Sequence, residues 1–207
     1  MPLVWLRRGA FVSGSTEWRT PPAFFANLHA EFGFNVDAAA TDDNALTRPS
    51  HGHHGPLHVP IYGAGDVPRC VCGAVPAANL GGRYYTAETD GTKREHYGLG
   101  DRIWCNPPYS PAPLLYRFVE TAYWTAREQG ALWVMLLNAS CTDTRWFHDF
   151  IWDDELHRPR ERIQVRHRRG RISFLDENGE LPRDKKGKPQ GPRYSNMVCI
   201  FHPWRKT

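Results

Sequence analysis

Apolar residues recur at helical spacing in two parts of this chain and form short unbroken runs in several others. Phe24, Phe25, Leu28 and Phe32 stand one to four residues apart, which predicts a helix with one buried face. Thr20-Pro21-Pro22 precedes them, with threonine suited to cap and proline suited to the first turn. Gly33 supplies the stop. Phe34-Asn35-Val36-Asp37-Ala38 reads as a short strand ending in an acid and small residues. Arg102-Ile103-Trp104-Cys105 predicts a buried strand that stops at Asn106-Pro107-Pro108-Tyr109. Leu114, Leu115, Phe118, Val119, Ala122, Tyr123 and Ala126 then predict a second helix, ended by Gly130. Residues 131–137 are the clearest buried strand, and residues 143–150 predict a short helix. Three late strands are expected at 163–165, 171–175 and 197–201. Strand–helix–strand order followed by late strands argues for an α/β fold, a mostly parallel sheet with an antiparallel C-terminal hairpin.

Two stretches break the pattern. Residues 1–16 read as an irregular tail. Residues 47–82 carry Gly, Pro and His in abundance and show no period, so they are expected to be an insertion in a single domain spanning residues 17–207. The insertion holds His51, His53, His54, His58, Cys70 and Cys72. Imidazoles and thiolates bind zinc, but the Cys-x-Cys spacing is atypical and no second pair follows, so the reading adopted is no metal, with a zinc staple as the alternative. Five cysteines make an odd number with one close pair, which fits a reducing cytoplasm better than a disulfide framework. The longest apolar run is far short of the roughly 20 residues of a membrane span. The first eleven residues lack the apolar stretch of a secretory signal.

Charge changes the picture at one end. Residues 157–193 hold 12 Lys and Arg against 5 Asp and Glu, whereas the rest of the chain has 14 against 17. A basic C-terminal third on a slightly acidic body points to a polyanion held on one side.

The chemistry concentrates in Asn106-Pro107-Pro108-Tyr109. A strand ending there lies where open α/β sheets bind ligands, at the carboxyl ends of their strands. Two prolines remove two backbone donors and stiffen the turn. The Asn106 side-chain oxygen and the backbone carbonyls remain as fixed acceptors, with the Tyr109 ring beside them. Such a set suits an aromatic amine such as adenine N6, whose lone pair is delocalised into the ring. Two acceptors hold its hydrogens and stabilise the positive charge that develops on nitrogen during attack on a methyl donor. The ring offers a face for stacking.

These residues resemble a known family. The motif [Asp/Asn/Ser]-Pro-Pro-[Tyr/Phe] is the signature of S-adenosylmethionine-dependent amino methyltransferases. Further segments are similar to the phage-type DNA N6-adenine methyltransferases. They are Glu17-Trp18-Arg19-Thr20-Pro21-Pro22, residues 32–41, Trp104-Cys105-Asn106-Pro107-Pro108-Tyr109-Ser110, residues 142–149 and Gly170-Arg171-Ile172-Ser173-Phe174. The resemblance implies a seven-stranded Rossmann-like methyltransferase sheet and adenine-specific methylation of double-stranded DNA with S-adenosylmethionine. It implies catalytic Asn106, Pro107, Pro108 and Tyr109, and cofactor contacts at Thr20, Pro21, Asp37, Ala38 and Ala39. Asp143, Thr144 and Arg145 match a substrate-side loop, with an N-cap role for Asp143 as the structural alternative. Arg168, Arg169 and Arg171 are expected on DNA phosphates. Asp42, Asn44 and Asp90 stay open as the group that grips the cofactor ribose or adenine. Since the family is largely phage-borne, the resemblance implies a bacterial cytoplasm and a role in evading restriction. No membrane or protein partner is implied. The alternatives are methylation of RNA or of a protein glutamine, and an inactive DNA-binding protein on the same fold.

Overall fold

The computed structural model describes residues 18–41, 44–47, 82–176, 178–183, 186–188 and 194–204, and the backbone of 61–62 and 68–69. Three α-helices are present among them: α1 (Pro22–Phe32), α2 (Ala112–Glu128) and α3 (Arg145–Phe150). The strands are β1 (Val36–Asp37), β2 (Ile61–Tyr62), β3 (Pro68–Arg69), β4 (Arg83–Tyr84) and β5 (Arg102–Cys105), followed by β6 (Leu132–Asn138), β7 (Trp152–Asp153), β8 (Arg158–Pro159), β9 (Ile163–His167) and β10 (Asn196–Phe201). The main sheet has the order β4-β1-β5-β6-β10-β9. It is parallel from β4 to β6. β10 runs antiparallel between β6 and the edge strand β9.

Side chains alternate across this sheet with period two. Trp104, Val134, Leu136, Val198 and Ile200 face α1, where Phe25, Phe34 and Ile172 complete one core layer. Ile103, Cys105, Trp133, Met135, Leu137, Met197 and Cys199 face the other way, onto α2 and α3. Because both faces of β6 are covered, its sequence is a continuous apolar run rather than an alternating one.

α1 ends where Gly33 adopts φ +63° and its N–H reaches back to the His29 carbonyl at 2.7 Å. A buried polar ladder ties α2 to its neighbours. Trp133 Nε1 donates to Thr125 Oγ1, Thr125 Oγ1 to the Thr121 carbonyl, and Thr121 Oγ1 to the Thr92 carbonyl, each at 2.7 Å. Thr92 belongs to the loop that follows β4. In that loop Gly91 packs so closely on β1's exit that a methyl group there would lie 1.9 Å from the Ala38 carbonyl oxygen.

Several expectations need correction. The sheet has six strands among the described residues, not seven. Residues 171–175 form no strand: Leu175 makes a single antiparallel bridge with Arg19, while Ile172 turns into the core under α1. Thr20 does not cap α1. Pro21 holds the cap position, and the Thr20 hydroxyl is used elsewhere. α3 starts at Arg145, with Thr144 rather than Asp143 at its N-cap.

The insertion leaves β1 and returns in β4, its immediate neighbour in the sheet. Its two ends are clasped: Thr47, fully buried, donates from Oγ1 to the Arg83 carbonyl at 2.8 Å, and Gly82 packs against Thr47. Within it, the backbones of β2 and β3 pair antiparallel. The His and Cys residues that bear on the zinc alternative, and residues 1–16, lie outside the described residues. No helix of the described chain is long and apolar enough to cross a membrane.

The Gly91 contact makes a test of the fold. Gly91→Ala should destabilise the protein by at least about 1–3 kcal/mol, the usual cost of overpacking. Gly98→Ala, where a methyl group meets nothing within 4 Å, serves as the comparison. If the two variants show the same melting midpoint by circular dichroism, the loop after β4 is not wedged against Ala38.

Candidate active site

The chain leaving β1 turns toward β4, whereas the chain leaving β5 passes through α2 to β6 on the other side. The crevice between the carboxyl ends of β1 and β5 is therefore a topological switch point, the place where open α/β sheets take ligands. Asp37-Ala38-Ala39 lines one side of it, and Asn106-Pro107-Pro108-Tyr109 the other.

Asp37 is 3% exposed. Its carboxylate accepts the Ala39 N–H at 3.3 Å and the Leu46 N–H at 3.0 Å. Burial pushes this carboxyl up to about 6, against the two N–H groups that favour its charge. Ala38 is fully buried, and its N–H donates to the Trp104 carbonyl at 2.9 Å, which binds the two sides of the crevice together. Of the residues left open for the ribose or adenine, Asn44 holds the Thr41 N–H at 2.7 Å. Asp90 is engaged by Thr92 and Arg117. Burial raises its pKa, but those hydrogen bonds and the guanidinium outweigh it and hold the carboxyl below its ordinary range. Asp42 lies outside the described residues.

On the other side, Asn106 follows β5 directly. Its amide Nδ2 donates to Thr20 Oγ1 at 3.4 Å, across 86 positions of sequence. Its Oδ1 is buried and has no donor among the described residues. Pro107 is buried, and neither it nor Pro108 has an N–H to offer that oxygen. Tyr109 is half-buried and donates its hydroxyl to the Leu136 carbonyl at 3.1 Å. Burial raises its pKa, so the phenol stays neutral and remains a donor.

Asn196 was not among the residues singled out from the sequence. It is 4% exposed, lies against the Tyr109 hydroxyl, and its Oδ1 also lacks a donor. An asparagine opening a strand reads as a turn residue. Only its pairing with Asn138 at the end of β6 brings it to the site. Among the described residues five buried side-chain polar atoms have no partner, on Arg19, Thr41, Asn106, Arg160 and Asn196. Arg19 adjoins Thr20 and Thr41 follows β1, so four of the five sit on segments that converge at the crevice. Buried polar atoms are almost always paired in a finished interior, so this cluster singles out the crevice as the candidate site.

The other expected residues divide between the two faces of the sheet. Asp143 is exposed in the loop after β6, and Thr144 donates its hydroxyl to the Cys141 carbonyl at 2.6 Å. Arg145 pairs with Asp149 at 3.0 Å and lies over the Tyr116 ring, on the α2–α3 side. Arg168, Arg169 and Arg171 instead line a groove on the α1 side, together with Pro21. The structure thus joins Thr20, Pro21 and Asn106, and leaves Arg145 on the face opposite the basic groove.

A family model described as DNA N-6-adenine-methyltransferase (Dam) matches residues 72–207, well over half of the chain. The match takes in Asn106–Tyr109, the loop after β6, the basic stretch and Asn196, and begins after Thr20 and Asp37. No curated protein and no solved structure matches the chain.

Asp37 carries a pH prediction. Its folded pKa of about 6 lies above the ordinary 3.8 of an aspartate, so its contribution to stability is fully present below about pH 4 and is lost as the pH rises through 6. A shift of this size corresponds to about 3 kcal/mol. Asp37→Asn mimics the protonated acid, so the stability difference between parent and variant in urea titrations should move toward the variant by about that amount between pH 4 and pH 7.5. A difference independent of pH would show that Asp37 titrates normally.

Proposed function

Since this chain belongs to the DNA N-6-adenine-methyltransferase (Dam) family, we propose that it transfers a methyl group from S-adenosylmethionine to the N6 amino group of adenine in double-stranded DNA, at a specific site. One observation carries the reading: Asn106 Oδ1, at the mouth of the crevice, is buried and has no donor among the described residues. An acceptor left over in this position fits an incoming amine.

Each part of the site has a task in this reading. Asn106 Oδ1 accepts one hydrogen of the N6 amine, and a backbone carbonyl of the Asn106–Tyr109 turn accepts the second. Together they turn the nitrogen toward attack and stabilise its developing positive charge. The proton leaves only after the nitrogen has become cationic, so an amide suffices where a general base would otherwise be needed. Tyr109, tethered through its hydroxyl, holds its ring for stacking on the base. The base must leave the duplex to reach this point. Asp143 and Thr144 stand on the same edge as Asn106 and face the substrate. Arg145 would have to leave Asp149 to join them. Arg168, Arg169 and Arg171 face the DNA.

The residues present fit the cofactor. S-adenosylmethionine supplies an activated methyl group when bound, and it carries an ammonium group but no phosphates. Asp37 offers a buried carboxylate with no cation beside it among the described residues, Ala38 and Ala39 are the small residues that follow it, and Thr20 and Pro21 lie next to Asn106. We read the sheet as Rossmann-like, residues 17–207 as one methyltransferase domain with an accessory insertion at about 47–82, residues 1–16 as a tail, and the setting as a bacterial cytoplasm where phage-borne methylation blocks restriction.

Asn106→Ala should lower methyl transfer about 100- to 1000-fold, the usual effect of losing one preorganised polar partner. S-adenosylmethionine affinity should stay near that of the parent. Radiolabelled transfer to duplex DNA, RNA and protein extract measures the rate and identifies the acceptor. Transfer to RNA or protein alone, or a variant nearly as active as its parent, would overturn the reading.

Asp37 adds a second expectation. Near pH 6 the free carboxyl is about half protonated. Ionisation beside the cofactor ammonium should therefore release a fraction of a proton on binding. Calorimetry in two buffers of different ionisation enthalpy measures this. Binding without proton release at pH 6 would remove Asp37 from the cofactor site.

A further inference from the structure

A groove of about 700 Å³ runs between α1 and the chain that follows β9. Ile172 and Val198 give it an apolar floor, and both are buried members of the core layer beneath α1. Phe24 stands on the α1 wall, and Arg168, Arg169 and Arg171 form the opposite rim. Pro21 lines the groove, next to the Thr20 hydroxyl that meets Asn106. The groove and the crevice thus share the Thr20–Pro21 segment.

Its charge is arranged with some care. Arg166 is taken up by Glu31 in a two-pronged pair, at 2.7 Å on each prong. Arg168 lies over the Phe24 ring, with its guanidinium carbon 5.5 Å from the ring centroid, and its side chain is exposed. A guanidinium seated on an aromatic ring presents a flat, cationic surface of the kind on which nucleobases stack.

We propose that this groove takes an unpaired nucleotide of the strand that carries the target base, with its base stacked on the Phe24–Arg168 pair and its phosphates toward Arg169 and Arg171. The inference rests on the DNA-methyltransferase reading. Extruding the target adenine costs its neighbours a stacking partner, so a flipping enzyme creates such nucleotides beside its own crevice. A convex duplex backbone would use the cationic rim and leave the apolar floor in water. Stacking surfaces combined with a cationic rim are the mark of single-strand grooves. The chain's own first residues are a poor occupant: residues 1–17 carry Arg7 and Arg8 against Glu17, the wrong sign for this rim.

Arg168→Lys keeps the charge and removes the plane. Binding of a short oligo(dT) and of a duplex, followed by fluorescence anisotropy over a range of salt, tests the inference. Arg168→Lys should weaken oligo(dT) binding about fivefold or more with an unchanged salt slope. Phe24→Leu, which keeps apolar volume without the ring, should show the same loss. Should Phe24→Leu fail to fold, the exposed Arg168→Lys decides alone. Oligo(dT) bound equally by parent and Arg168→Lys, or a loss accompanied by a shallower salt slope, would reduce Arg168 to a phosphate contact and overturn the proposal. If that happens while the parent still methylates duplex DNA, the groove assignment falls and the enzymatic reading stands. A parent that binds neither oligo(dT) nor duplex at any salt refutes both.

Discussion

A carboxylate stripped of water, with no cation beside it among the described residues, is the constraint on which the site depends. Removing Asp37 from solvent carries a desolvation cost that two backbone N–H groups offset only in part. Those two N–H groups belong to Ala39 and Leu46, so the carboxylate fixes both ends of the turn that leaves β1. The loop after β4 closes on that turn from the other side, with Gly91 against the Ala38 carbonyl and the Tyr97 hydroxyl donating to the Gly91 carbonyl at 2.6 Å. The Thr92–Thr121–Thr125–Trp133 ladder then carries the same rigidity through α2 into β6. Burial first, and the Asp37 charge second, hold the neighbouring Cys105 thiol well above its ordinary range, so it stays an inert core group.

The Asn106 side of the crevice is fixed by different means. Prolines replace hydrogen-bonding backbone, Thr20 holds the amide nitrogen, and the Leu136 carbonyl holds the Tyr109 hydroxyl. What is left unpaired among the described residues is an acceptor oxygen in a rigid frame. Preorganisation of this kind lets an amide act on a weak nucleophile, since no reorganisation is needed as charge develops.

Much of this was legible in the residues. The helical spacing of Phe24, Phe25, Leu28 and Phe32, the run from Leu132 to Leu137, and the stop at Asn106-Pro107-Pro108 are local signals, and the corresponding elements appear within a few residues of where they were expected. The features that failed are non-local. Thr20 has every local qualification for a cap, yet its hydroxyl is drawn to an amide 86 positions away. Residues 171–175 have strand composition, but Ile172 is drawn into the core beneath α1, and the segment's one β-bridge joins Leu175 to Arg19. Asn196 could be found only through the register of β10 on β6. Arg145 matched its loop by sequence, while its partners Asp149 and Tyr116 lie on the far side of the sheet from the groove.

The clasp between Thr47 and the start of β4 has a consequence for how the chain can change. Two strands that touch in the sheet are joined by the whole insertion, and among the described residues its ends are secured by a buried hydroxyl and a glycine contact. The entropy of closing a loop rises only slowly with its length. Segments of very different size can therefore be exchanged at this one seam without disturbing the register of β1 and β4. The seam opens at the edge of the sheet beside Asp37. Whatever is grafted there enters the neighbourhood of the crevice, so the part of the chain freest to diverge is also placed to give a shared chemistry a new recognition surface.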